Sequence, residues 1–171
     1  MQQAVRRRIF IAILILIWFQ FALLPYISIR NVKPDLFFIF LAFYAFQIDR
    51  KTLPMLGFIL GLIRDLCSNT FFGLETASVL GGSVVLYFLA ARFDREKFWI
   101  QIASLFTFSF LTLTLFAVLA MMIQPNYGLN EMVLSQILLI TIYTSVFGVL
   151  LFPFLNKWLL RALSGKQYEL F

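Results

Sequence analysis

Six runs of apolar residues fill the chain, and short polar or charged connections separate them. They cover approximately residues 9–29, 35–47, 52–66, 72–91, 98–123 and 132–155. The first continues from Ile9 past Leu24 to Ile29, about 20 residues, enough to cross a hydrocarbon core of about 30 Å at 1.5 Å per residue. It follows Arg6, Arg7 and Arg8, the basic start of a signal peptide. No small-x-small cleavage site follows, so the run is expected to remain as an uncleaved first span. The second and third runs are short and reach only about 20–22 Å as helices. They fit two arrangements: a full crossing with local thinning, or a re-entrant hairpin. A hairpin tip would bury Asp49, Arg50 and Lys51, each at roughly 2.5–3.5 kcal/mol, which favours full crossing. Pro153 fits a terminating or kinked turn at the end of the sixth run.

Composition turns these runs into a statement about solvent. Hydrophobic residues make up 62% of the 171 and charged residues 13%, whereas a soluble domain is nearer half apolar. The chain therefore reads as a single all-α, polytopic integral membrane domain over residues 1–171. The 22 Phe suit lipid contact and interhelix packing. Trp18 is too deep in its run for an interfacial anchor and is expected to pack between helices. With one Cys, Cys67, and no His, an internal disulfide, the usual zinc and iron sites and the commonest general base are all excluded. No catalytic, cofactor or metal residues are expected.

Charge supplies the orientation. The formal net charge is +6, but the basic residues sit in small clusters between apolar runs, a spacing that suits a membrane surface rather than nucleic acid. With the N-terminus inside, eleven of the fourteen Lys and Arg face the cytoplasm, including Arg92, Arg95 and Lys97. Arg30 and Lys33 fall outside, and Arg64 lies within the third run. Basic residues collect in short cytoplasmic loops, so six transmembrane helices with both termini cytoplasmic are expected.

The sharpest local signal lies in the third run, where Gly57, Gly61 and Asp65 recur at four-residue intervals on one helix face. Such glycines let another backbone approach closely, either within the chain or from a partner. Arg64 and Asp65 are the opposite charges inside an apolar run, and they diverge by about 100° on a helix, so they are not expected to pair with each other. Asp35, Glu75, Lys33 and Arg30 are expected near the same face as alternative partners. Pro34 suits a helix first turn, and the Asp35 carboxylate suits the positive end of the macrodipole. Gly73 would allow a sharp turn into the fourth run.

Pro34-Asp35-Leu36, then Gly57-x3-Gly61-x3-Asp65-Leu66, then Ser68-x4-Gly73-Leu74 resemble the rod shape-determining protein MreD family. Phe71 and Glu75 depart from residues frequent there. The resemblance implies a non-catalytic inner-membrane subunit of the bacterial cell-elongation complex. Such a subunit binds MreC and is linked with MreB filaments, RodA and a class B penicillin-binding protein. It also implies a fold similar to the S components of energy-coupling vitamin transporters. Two other readings stand beside it. One is an S component itself, although Ala12 and Ala22 do not form the Ala-x3-Ala docking face of that class. The other is an intramembrane enzyme, against which the Gly-x-Gly-Asp and Gly-x-Ser-Gly motifs are both missing.

Overall fold

The computed structural model describes residues 11, 13–23, 32–47, 51–68, 71–93, 97–124, 130–155 and 157. Among them the chain is helical, with no strand. Helix α1 covers 13–23 and ends in a π-helical turn, Phe19–Leu23. It is followed by α2 (Leu36–Gln47), α3 (Leu53–Cys67), α4 (Leu74–Arg92), α5 (Phe98–Ile123) and α6 (Glu131–Leu155). The last three are long and apolar enough to cross a membrane. The basic clusters at 6–8 and 161–166, together with Arg30, Arg50 and Arg95, lie outside the described residues.

Helix α2 is the axis of the bundle. Every residue from Leu36 to Phe46 is buried. A helix that is apolar on all sides can be surrounded on all sides, and α3, α4, α5 and α6 all contact this one. Its shortness is therefore not a mismatch with lipid, because protein encloses it. Phe38 meets Phe108 of α5 edge to face at 5.2 Å, and Phe43 lies 6.1 Å from Phe152 of α6.

The surrounding helices meet one another through small residues: a Cβ on Gly82 of α4 would strike Thr112 of α5, and one on Gly148 of α6 would strike Leu105 of α5. The buried stripe of α4 includes Ser78, Gly82 and Ser83, that of α5 Ser104, Ser109 and Thr112, and that of α6 Thr141, Thr144, Ser145 and Gly148. Small residues permit close helix approach. Several hydroxyls donate to the carbonyl three or four residues back: Ser78 to Leu74 and Ser83 to Leu80 at 2.7 Å, Thr112 to Phe108 and Ser145 to Thr141 at 2.8 Å. They thus enter an apolar interior with their donors already used.

On α1, Ile13, Leu16 and Ile17 pack toward this core. Trp18 is 60% exposed and stacks edge to face on Phe19 rather than between helices. The expectation fails because the inward stripe at spacing three and four skips position 18.

Candidate functional site

The upper end of the bundle is defined here as the end where α2 starts, α3 finishes and α4 starts. A new helix leaves four N–H groups without intrahelical partners, and burial makes each costly. At α2 every one is met. Asp35 N donates to Thr144 Oγ1 at 3.0 Å and Leu36 N to Gln20 Oε1 at 2.9 Å. Phe37 N and Phe38 N both donate to Asp35 Oδ1, at 3.0 and 3.3 Å, and Ile39 N donates to the Asp35 carbonyl. Asp35 is thus the N-cap, which moves Pro34 out of the first helical turn to the position before the cap.

Helix α4 solves the same problem with a borrowed side chain. Its N-cap is Gly73, whose φ of 98° lies in the left-handed region and which has no side chain to offer. Asp65, at the end of α3, supplies the acceptors instead. Its Oδ1 accepts from Glu75 N at 3.0 Å, and its Oδ2 accepts from Thr76 N at 2.9 Å and from the Thr76 hydroxyl. Leu74 N and Ala77 N donate to the carbonyls of Phe71 and Gly73.

The glycines of α3 hold it close enough for this exchange. A Cβ on Gly57 would fall 2.6 Å from Ser83 Oγ, and one on Gly61 only 2.7 Å from the Thr76 Cα. Gly57, Gly61 and Asp65 therefore all face α4.

Arg64 points the other way around α3, toward α2. Its guanidinium pairs with Asp35 Oδ2 and with Glu75 Oε2 (3.0 Å), and it lies 4.9 Å from the centre of the Phe38 ring. One cation thus ties the upper ends of α2, α3 and α4. Asp35 divides its labour, with one oxygen capping α2 and the other binding Arg64.

Beside this cluster lies a cavity of about 240 Å³, bordered by Lys33, Arg64, Glu75, Leu113 and Ile140 among others. It is set deep. Ile140 lies nine residues into α6, about 14 Å along the axis, and Thr144 lies about 20 Å along it. Helices α5 and α6 therefore rise well above the ends of α2, α3 and α4.

Of the residues singled out in the sequence, Asp35, Arg64, Glu75 and Lys33 come together, while Arg30 lies outside the described residues. Gln20 and Thr144 also belong to the site, through their bonds to the start of α2. Gln20 carries a signal, since it interrupts the otherwise apolar first run; Thr144 is one hydroxyl among many and carries none.

Comparison with curated proteins and with solved structures gives no match. The family model described as rod shape-determining protein MreD matches residues 2–162. That match spans nearly the whole length and includes every helix and every charged group of the site, so the chain belongs to the MreD family of rod shape-determining membrane proteins.

Proposed function

We propose that the chain is a non-catalytic, multi-pass subunit of the bacterial cytoplasmic membrane. In this reading it binds MreC and helps direct peptidoglycan synthesis during elongation, in association with MreB, RodA and a class B penicillin-binding protein. The family match over residues 2–162 carries this reading. The site geometry supports it, because Asp35, Arg64 and Asp65 are committed to joining three helix ends. In this orientation the upper end faces outward and both termini lie in the cytoplasm, as the distribution of Lys and Arg favours.

Two experiments test it. MreC is expected to co-purify with the intact chain, and depletion is expected to round the cells; normal rods after depletion would defeat the shape role. Cys67, exposed near the cavity, is expected to react with a membrane-impermeant maleimide in intact cells. Labelling only after lysis would invert the orientation.

The cavity favours a second reading, a vitamin-binding S component. A vitamin retained through purification, with cell shape unchanged on depletion, would select it.

A further inference from the structure

The cavity beside Arg64 has walls of opposite charge that are not paired with each other. One Arg64 guanidinium serves two carboxylates, Asp35 and Glu75, so that side keeps a surplus negative charge. Lys33 lines the same cavity, is exposed, and makes no ion pair with a described residue. The volume of about 240 Å³ is many times the roughly 10–15 Å³ that one water needs. We infer that this cavity binds the zwitterionic headgroup of a membrane lipid carrying a primary ammonium, with phosphate on Lys33 and ammonium on the Glu75–Asp35 wall.

Three observations select that chemistry. A purely anionic headgroup would satisfy Lys33 but leave the surplus carboxylate unanswered, at a cost that grows with burial. A quaternary ammonium has no N–H to give to Glu75 and is best held by an aromatic cage, whereas Phe37 is the one aromatic ring among the described residues lining the cavity. A lipid suits the position better than a soluble zwitterion, because the cavity lies below the tops of α5 and α6. Toward the membrane centre from it, the exposed Phe106 and Leu111 of α5 and Ile142 and Val146 of α6 offer an apolar path for acyl chains. The inference rests on the membrane reading above and on no protein partner.

The test uses the intact chain in nanodiscs of equal parts phosphatidylethanolamine, phosphatidylglycerol and phosphatidylcholine, with retained lipid identified by native mass spectrometry after release. Phosphatidylethanolamine is expected to be enriched over its bulk share. Losing one charge-assisted contact in Lys33→Gln should reduce the amount of phosphatidylethanolamine retained per chain about tenfold. Lys33 is exposed and makes no ion pair among the described residues, so this variant should unfold at the wild-type temperature, which separates lost binding from lost folding. Glu75→Gln is expected to reduce the enrichment as well, leaving phosphatidylglycerol and phosphatidylcholine near bulk. Retention of the three lipids in bulk proportion, or an amount of retained phosphatidylethanolamine unmoved by Lys33→Gln, would overturn the inference. Retention of a free amino acid or phosphoethanolamine from the cell extract in place of lipid would overturn the lipid assignment. Failure of MreC to co-purify bears only on the scaffold role and leaves this test unaffected.

Discussion

The upper and lower halves of the bundle are held by different physics. Below, Phe40, Phe43 and Phe46 of α2 lie in one buried cluster with Leu53, Leu86, Leu105 and Phe152, and cohesion comes from shape and dispersion between atoms in contact. Above, three helix ends meet around Arg64, and cohesion comes from charge and from N–H groups that must find acceptors. Lipid offers no hydrophobic drive between helices, so packing and polar contacts carry the association. The lower half tolerates rearrangement if volume is kept, whereas the upper half depends on each partner being present.

That difference predicts the largest effect at Arg64. Arg64→Met removes one charge and strands two carboxylates whose side chains are only 8% and 15% exposed. Breaking a buried ion pair from one side costs about 3–5 kcal/mol. The purified variant should unfold at markedly lower denaturant in an SDS titration. Adding Asp35→Asn and Glu75→Gln should restore part of the loss, since the stranded charges go with the cation. A single variant as stable as wild type would erase the contrast between the two halves.

The glycines come next, and they differ from each other. A Cβ at Gly57 meets a side chain, Ser83, whereas one at Gly61 meets the Thr76 backbone. Overpacking costs roughly 1–3 kcal/mol. Gly57→Ala should therefore be rescued by Ser83→Gly, while no side-chain truncation on α4 should rescue Gly61→Ala. A double-mutant cycle in the same unfolding assay reads this directly. Equal rescue at both positions would mean that α3 shifts freely against α4.

Much of this arrangement was legible in the residues, and the limits have a physical cause. The helix boundaries follow from charge and punctuation: Asp35 stands one residue before α2, and Gly73 one before α4. The divergence of Arg64 and Asp65 follows from helical geometry alone. The enclosure of α2 was hidden, because an apolar interior and an apolar solvent select the same residues. Leu36 to Phe46 reads equally well as lipid-facing and as central. Thr144 was hidden for another reason: the Asp35–Thr144 bond joins residues 109 apart in sequence, and local pattern carries no information at that range.

A smaller effect is expected at Asp65→Asn. The amide keeps one oxygen, but its nitrogen would face an N–H or hydroxyl of the α4 start, leaving a donor unmet. An unsatisfied buried donor costs about 1–3 kcal/mol. The loss should appear as lower stability with slower hydrogen exchange abolished at Glu75 and Thr76 first. Uniformly faster exchange along α4 would show that Asp65 supports more than the helix start.

The mildest prediction lies at the lower end, where Tyr44 and Thr52 share a hydroxyl contact of 2.8 Å between α2 and the residue before α3. Both groups are neutral, and Tyr44→Phe keeps the ring, which is buried and 6.3 Å from Phe40. Only the net value of one neutral hydrogen bond is lost, roughly 0.5–1.5 kcal/mol. Removing the hydroxyl leaves no charge behind, and Thr52 lies at an exposed position where water replaces the contact. Hence a small shift in the SDS titration is expected, well below that of Arg64→Met. A loss as large as the Arg64 variant's would place a polar clasp at both ends of α2, and the division of the bundle into a half held by shape and a half held by charge would fail.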